Sequence, residues 1–313
     1  MVRKYRFIQL DVFTDRAFYG NPLAVFPEAK GLSDEEMLKI AREMNLSETV
    51  FVLPPQDERT LRRLRIFTPV REIPFAGHPV VGTWNALARQ GVVALPDNGH
   101  GWTRIEHEVG IGVLPVDIEF KDGLPVQVVM TQGKFEIQTE IDDWHQQAEI
   151  ARALGRARED LDENLPIQII STGLPFLVVP IRSLADLRHC RVNAALLTDV
   201  YTRAGGTGCY AFTRETIESG NARAHARLFA PADNISEDPA TGSAAGALGA
   251  YLVHHHSVAV EFDEGKFSFV IEQGDFVNRP SRINIEIKGA FGAVEEVRVG
   301  GPSIIVMRGE LIL

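Results

Sequence analysis

The sequence predicts a mixed α/β protein of the α+β type, made of two similar halves that each contain a buried central helix. Three observations support this prediction. Helical and strand-like segments are mixed without regular alternation, one pattern of residues occurs twice, and each copy continues into a long stretch without charged side chains. A doubly wound parallel sheet needs regular alternation of strands and helices, so the segment order argues against that architecture. The length of 313 residues allows two domains, each large enough for its own core.

The predicted elements are mostly short strands, separated by turns and a few helices. Ser33 and Glu36 form the pattern of a capping box, and apolar residues then recur at helical spacing, which predicts an amphipathic helix over residues 34–44. Apolar residues predict a strand over 49–53, with Glu48 at its entrance. The other predicted strands and helices, before a strand-rich last third, lie at residues 7–13, 23–26, 63–67, 103–136, 143–154, 174–181, 182–190 and 192–197.

An internal repeat relates the two halves of the chain. RIFTP at residues 65–69 matches RLFAP at residues 227–231, at an offset of 162. His78-Pro79 then matches Asp238-Pro239 at an offset of 160, which corresponds to a connection shortened by two residues in the second copy. Two similar halves commonly enclose a cleft, and clefts between domains favour ligand binding.

Each copy of the repeat continues into an uncharged stretch, and we expect residues 80–88 and 241–253 to be buried central helices. A helix N-terminus carries unpaired N–H groups and a partial positive charge. Gly77 and Gly242 either leave room there for a ligand to approach the backbone or only let the helices pack closely against strands. If both helix starts face one cleft, they offer two anion sites without a lysine, which suits a small carboxylate substrate.

Composition disfavours several classes of function. The 32 basic and 42 acidic side chains give a net charge of −10, which argues against binding to nucleic acid or to anionic membranes. Two cysteines are too few for a secreted scaffold that depends on disulfides. The sequence has no apolar run of about 18 residues and no signal-peptide pattern before the first strand. We therefore expect a cytoplasmic protein without a membrane span.

Three ionisable residues are candidates for catalysis. Glu48 borders an apolar strand, where burial would raise the pKa of its carboxyl group and make it a competent base, although acidic residues are more often exposed. His78 can titrate near neutral pH, or it can simply hydrogen-bond a loop. Asp238 lies directly before a proline and a helix, where capping is the ordinary role of an aspartate. The matching positions of His78 and Asp238 in the two copies favour a shared site.

Two other groups give weaker signals. His254, His255 and His256 are consecutive, and side chains at consecutive helical positions point in different directions, so a metal site is disfavoured. Cys190 and Cys209 lack the pattern of activated thiols, and we interpret both as structural.

Several motifs run in order over nearly the whole chain. They are GNPLAV at residues 20–25, NLSETVF at 45–51, FAGHP at 75–79, SEDPATGSA at 236–244, VGGP at 299–302 and RGEL at 308–311. Together they resemble the PhzF family of phenazine-biosynthesis isomerase-like proteins. The resemblance implies a diaminopimelate-epimerase-like fold, with two pseudo-symmetric halves that each wrap a curved, mostly antiparallel sheet around a central helix. The strand pattern restarts around residues 115–130, where we place the boundary between the halves, and the resemblance implies that the end of the chain returns to the first half. We therefore expect residues 1–120 with about 285–313 to form the N-terminal half, and residues 121–284 the C-terminal half.

The resemblance also implies roles for particular residues. The position matched by Glu48 is the acid/base of the characterised phenazine enzyme, which moves a proton from one carbon to another in a cyclic dihydro-hydroxyanthranilate. The positions matched by His78 and Asp238 assist it, and those matched by Gly77 and Ser243 line the site.

The family is usually homodimeric and uses no cofactor, so we expect a cofactor-independent isomerase of a small anionic carboxylate. The polar loop at residues 233–236 varies within the family and leaves the substrate open. A binding or regulatory protein that has lost turnover is the alternative. A racemase or epimerase with two thiols is a minor one, because Gly77 and Asp238 stand near the places of its cysteines.

Overall fold

The chain forms two units, of which the second is inserted into the first. A computed structural model describes residues 2–259, 262–263 and 265–313, with only the backbone described at Phe262. Unit 1 comprises Met1–Thr131 with Gly300–Leu313, and unit 2 comprises Gln132–Val299. These boundaries lie later in the chain than those expected at 120/121 and about 284/285.

Unit 1 is a mainly antiparallel sheet with two helices. Its strands are β1 (Lys4–Val12), β2 (Asn21–Phe26), β3 (Glu48–Leu53), β4 (Arg63–Phe67), β5 (Glu72–Ile73), β6 (Gly101–Val109), β7 (Gly112–Lys121), β8 (Leu124–Thr131) and the last strand of the chain, β19 (Ser303–Ile312). They pair in the order β19, β1, β2, β3, β4, β6, β7, β8, and only the β2–β3 and β4–β6 pairs are parallel. The short β5 pairs antiparallel with β4.

The two helices of unit 1 follow from the sequence in different ways. Helix α1 (Asp34–Met44) begins with the predicted capping box, in which Ser33 Oγ accepts the Glu36 N–H and the Glu36 carboxylate accepts the Ser33 N–H. Helix α2 (Gly77–Arg89) is buried along its length except at its last residue. It packs against β1, β2, β3, β8 and β19. The uncharged stretch therefore forms the centre of the unit, as predicted.

Unit 2 repeats this plan with more helices. Its strands are β9 (Glu136–Ile141), β10 (Ile167–Ser171), β11 (Pro175–Pro180), β12 (Cys209–Thr213), β13 (Ala222–Ala230), β14 (Ile235–Asp238), β15 (Phe262–Asp263), β16 (Lys266–Gln273), β17 (Ser281–Ala290) and β18 (Ala293–Gly301), the last ending just past the boundary. Its helices are α3 (Trp144–Ala153), α4 (Leu184–Arg188), α5 (Ala194–Ala204) and α6 (Gly242–His254). Helix α6 packs against β10, β16 and β17 and is the buried central helix.

The internal repeat is visible in the order of strand pairing. In unit 1 the pairs β1–β2, β2–β3, β3–β4, β4–β6 and β6–β7 are antiparallel, parallel, antiparallel, parallel and antiparallel. The pairs β10–β11, β11–β12, β12–β13, β13–β16 and β16–β17 repeat this series in unit 2. In both units the central helix follows a short strand, β5 or β14, that pairs with the fourth strand of the series, β4 or β13. The predicted fold class is confirmed.

The register that we predicted for the repeat is wrong at the helix starts. The two central helices begin at Gly77 and Gly242, which is an offset of 165 (242 − 77) rather than 160. The segment that joins the repeated strand to the central helix is therefore three residues longer in unit 2 than in unit 1 (165 − 162), because β14 extends to Asp238. His78 is the second residue of its helix, whereas Asp238 ends β14 opposite Leu228. The two residues do not occupy equivalent positions.

The first boundary between the units lies later in the chain than we expected because of one hairpin. Asp122 and Gly123 both adopt positive φ between β7 and β8, which is the turn that their sequence predicts. Strand β8 then pairs with β7 and packs against α2, so it belongs to unit 1.

In the described part of the chain, the helices are too short or too polar to cross a membrane.

Candidate active site

Glu48 and His78 lie together in unit 1. Glu48 is the first residue of β3 and His78 is the second residue of α2. Atom Nε2 of His78 lies 3.3 Å from Oε2 of Glu48, and the two side chains are 5% and 12% exposed, respectively. Glu48 is therefore largely shielded from water, in contrast to the exposed carboxylate at the edge of a strand that we considered as the alternative.

Asn21 is a third member of this cluster, and sequence reasoning missed it. Asn21 is fully buried at the start of β2, and its Nδ2 lies 3.3 Å from Nδ1 of His78. Strands β2 and β3 run parallel with Leu23 opposite Glu48, so Asn21 and Glu48 enter the sheet at the same edge. The sequence analysis included Asn21 only within the GNPLAV motif at residues 20–25 and gave it no role at the site. The available signal was a polar side chain at the entrance of an otherwise apolar strand.

His78 is uncharged at neutral pH. Burial lowers the pKa of its imidazole to about 3. A neutral imidazole carries one N–H and one acceptor nitrogen. If the Asn21 amide donates to Nδ1, the imidazole proton lies on Nε2 and faces the Glu48 carboxylate. We assign this tautomer from the hydrogen-bonding partners. In this state the Nε2–H of a neutral His78 lies 3.3 Å from Oε2 of Glu48, although the two atoms do not have hydrogen-bond geometry.

Asp238 lies in unit 2, where its side chain is held by the start of α6. It is 5% exposed, and its Oδ2 accepts a hydrogen bond of 2.5 Å from Thr241 Oγ1. Thr241 is the N-cap of α6, so Asp238 does not have the ordinary capping role that we considered as the alternative to catalysis. Asp238 is placed before the cap by the three-residue extension of the connection. Gln273 contacts the same segment by donating from Nε2 to the backbone oxygen of Asp238 at 2.7 Å.

Neither central helix uses a side chain to cap its first turn. Residue 76, the N-cap of α2, is an alanine, and the Thr241 side chain makes no capping hydrogen bond in α6. Gly77 and Gly242 are buried first residues of the helices, and Ser243 is partly buried. The Gly242 carbonyl accepts a 2.9 Å hydrogen bond from Gln132 Nε2. Such N-termini present backbone N–H groups and a positive dipole end to an anion.

The cysteines lack the surroundings of reactive thiols. Cys190 and Cys209 are both buried, and burial raises the pKa of both thiols, to about 11 for Cys190.

The three consecutive histidines point to different neighbours. His255 Nε2 lies 2.9 Å from Gln168 Oε1, whereas the His256 ring stacks on Phe291. Over the described ranges, 2–259, 262–263 and 265–313, no group of three or more His, Cys, Asp or Glu side chains is arranged to hold a metal ion.

The sequence is similar to that of a known protein family and to proteins named as isomerases. The family model for PhzC-PhzF, described as phenazine biosynthesis-like protein, matches residues 10–309. An uncharacterized isomerase of Clostridium acetobutylicum is 39% identical over 313 residues, and the alignment covers 100% of both chains. The trans-2,3-dihydro-3-hydroxyanthranilate isomerase of Pseudomonas aeruginosa is 35% identical, over 99% of this chain and 100% of that protein.

Solved structures show the same fold. A phenazine biosynthesis protein of the PhzF family from Bacillus anthracis superposes with a TM-score of 0.86 at 26% identity, over 99% of this chain and 100% of that one. A hydroxyproline epimerase from Agrobacterium vitis superposes with a TM-score of 0.64 at 15% identity, over 99% of this chain and 92% of that one. The second likeness concerns the fold alone.

Proposed function

The chain belongs to the PhzC-PhzF family and is an isomerase, and from this premise we propose that Glu48 moves a proton between two carbon atoms of one small carboxylate substrate. The observation that carries the proposal is the contact between a shielded Glu48 and a neutral, buried His78. A group that accepts a proton, holds it and returns it elsewhere must be kept from exchanging that proton with water. A carboxylate that is 12% exposed meets this requirement.

His78 keeps the Glu48 carboxylate in position during the transfer. Because His78 is neutral, it does not hold Glu48 in the ionised form as a full positive charge would. Glu48 can therefore alternate between carboxylate and carboxylic acid. Asn21, at Nδ1 of the imidazole, fixes which nitrogen of His78 faces Glu48.

The start of the second central helix contributes the remaining groups in this proposal. Gly242 and Ser243 present backbone N–H groups, as does Gly77 in the first unit, and these stabilise negative charge that develops on the substrate carboxylate. Asp238 acts on the same substrate as an acid/base partner. The proposal includes a homodimer in the cytoplasm that works without a cofactor, and light scattering tests the oligomeric state.

The substrate of the Pseudomonas aeruginosa relative guides the first assay. That protein is named for trans-2,3-dihydro-3-hydroxyanthranilate, a cyclic carboxylate in which isomerisation requires a proton to change carbon. A racemase with two catalytic thiols fits less well, because burial raises the pKa of both cysteines. Loss of turnover on the same fold is disfavoured by the Glu48–His78–Asn21 cluster, which a purely binding protein would not need.

The decisive experiment replaces Glu48 by glutamine. General acid–base catalysis contributes about 10²- to 10⁴-fold, so Glu48→Gln should lower turnover by at least that order. Turnover is measured with trans-2,3-dihydro-3-hydroxyanthranilate and then with other small carboxylates, by following the conversion of each substrate to its isomer with NMR spectroscopy. Glu43→Gln, at an exposed position of α1, is the matched control and should keep full turnover. Comparable turnover in Glu48→Gln and the wild type would refute the proton-shuttle role.

A further inference from the structure

A hydrogen-bond network in unit 2 encloses one side of Asp238. Tyr210 and Gln273 are fully buried. The Tyr210 hydroxyl donates to Gln273 Oε1 at 2.8 Å, and the backbone N–H of Thr241 donates to the same oxygen at 3.1 Å. Gln273 Nε2 donates to the Asp238 carbonyl at 2.7 Å and to Thr241 Oγ1 at 3.1 Å. Thr241 Oγ1 in turn donates to Asp238 Oδ2 at 2.5 Å.

Strand pairing brings these distant residues together. Strand β13 lies between β14 and β16, with Leu228 opposite Asp238 and Ala226 opposite Gln273. Gln273 ends β16 as Asp238 ends β14, so both reach the start of α6. The two residues are 35 positions apart in the chain (273 − 238), and no sequence motif joins them.

Backbone groups fix the direction of every bond in this network. A backbone N–H only donates and a carbonyl oxygen only accepts. The Gln273 amide must therefore turn its oxygen to the Thr241 N–H and its nitrogen to the Asp238 carbonyl. Its NH₂ group then donates to Thr241 Oγ1, and that hydroxyl has its own hydrogen left for Asp238. Atom Oδ2 of Asp238 is consequently a hydrogen-bond acceptor.

We propose that Gln273 and Thr241 are positioning residues that keep Oδ2 of Asp238 as an acceptor, so that any proton taken up by Asp238 during the reaction goes to Oδ1. The inference rests on the proposed function in assigning Asp238 to the reaction. It gives the carboxylate two unequal oxygens, one that accepts from the Thr241 hydroxyl and one that takes up the proton. Burial, followed by the nearby Asp238, raises the pKa of Tyr210 well above its usual range, so the outer donor of the network stays protonated.

A merely structural role is the competing explanation, since Thr241 is also the N-cap of α6. The two roles differ in what they do to Asp238. A hydrogen bond to the charged form of a carboxyl group favours that form, so losing the Thr241 hydroxyl should make the Asp238 carboxyl easier to protonate. A structural role would lower stability without moving that titration.

The experiment compares Thr241→Val, which keeps the shape and removes the hydroxyl, with Thr241→Ser, which keeps the hydroxyl. Full-length protein is labelled with ¹³C at the aspartate carboxyl carbons, and the Asp238 signal is assigned by its loss in Asp238→Asn. In Thr241→Val the titration midpoint of this signal should rise by about one pH unit or more, because hydrogen bonds to charged groups are among the strong ones. Thr241→Ser should titrate like the wild type.

Equal midpoints in Thr241→Val and the wild type, or an equal rise in both variants, would overturn the inference. If Thr241→Val does not fold, Thr241→Ala removes the same hydroxyl and replaces it in the comparison. The titration needs no substrate. A shift in Thr241→Val without any isomerase activity in the wild type would therefore refute the proposed function, whereas an unchanged midpoint in an active isomerase would refute the positioning role alone.

Discussion

The chemistry of the candidate site arises from single side chains on separate elements. Sequence reasoning selected Glu48 and His78, and in unit 1 of the structure Nε2 of His78 lies 3.3 Å from Oε2 of Glu48. It missed Asn21, because an asparagine after glycine and before proline has the composition of a turn. The tertiary contact with His78 depends on α2 packing against β2, which local sequence does not encode.

Asn21 supports a residue-scale prediction. Asn21→Ala removes the donor at Nδ1 of His78, and loss of one neutral hydrogen bond, at about 1 kcal/mol, should lower turnover about 5-fold. Asn21→Asp should lower turnover further, because a carboxylate at Nδ1 draws the imidazole proton to that nitrogen and leaves Nε2 bare beside Glu48. Turnover and KM are measured for both variants, with thermal unfolding as the control for folding. Asn21→Asp turnover at or above that of Asn21→Ala would contradict the assigned tautomer.

At the scale of elements, the uncharged stretches correctly predicted which helices are buried and, to within one residue, where α6 begins, but not where α2 begins. We expected α2 from residue 80, and it begins at Gly77, with Pro79 as its third residue. Proline is tolerated throughout a first helical turn, so it marks the start only to within a few residues. The repeat register failed for a similar reason. A proline in each copy suggested equivalence, whereas pairing of β14 with β13 sets the length of the second connection.

Close packing of α6 provides an element-scale prediction. A Cβ atom added at Gly249 would lie 2.5 Å from Cγ2 of Ile285 on β17. Alanine gains about 1 kcal/mol of helix propensity over glycine, but overpacking a core costs about 1–3 kcal/mol. We therefore expect Gly249→Ala to lower the free energy of unfolding by about 1 kcal/mol, measured by urea denaturation.

The control for this prediction is a double-mutant cycle with Ile285→Ala. Removing the crowding methyl group should make the pair of substitutions less destabilising than the sum of the two single changes. Additive effects, or a Gly249→Ala protein more stable than the wild type, would show that α6 does not pack this closely on β17.

At the scale of the whole molecule, two buried histidines make stability depend on pH. Burial lowers the pKa of His78 to about 3 and that of His107 to about 4. His107 is 1% exposed and lies edge-on to Trp84. In the unfolded chain, histidine titrates near pH 6.5. Between these values the unfolded state binds more protons, so stability is complete above about pH 6.5 and falls as the pH is lowered towards the folded pKa values.

Removing one histidine isolates its contribution from that of the carboxylates. Each histidine contributes a slope that approaches about 1.4 kcal/mol per pH unit in this range. The free energy of unfolding of His107→Asn should therefore depend less steeply on pH between about 6 and 4.5 than that of the wild type, by nearly one proton. Urea denaturation at several pH values measures both slopes. Parallel slopes would mean that His107 is protonated in the folded protein.

The order of the units in the chain has a consequence for how the protein is made. Strand β19 pairs with β1 along its whole length, and Arg3 and Leu313 exchange two backbone hydrogen bonds of 2.8 Å. During synthesis, residues 303–312 are translated after the whole of unit 2, which is one uninterrupted segment of the chain. Although N-terminal domains usually fold first during synthesis, unit 2 has all its strands before unit 1 does. Until then the β19 side of β1 is an open sheet edge that another nascent chain can pair with, so this protein's risk of aggregation is greatest during translation.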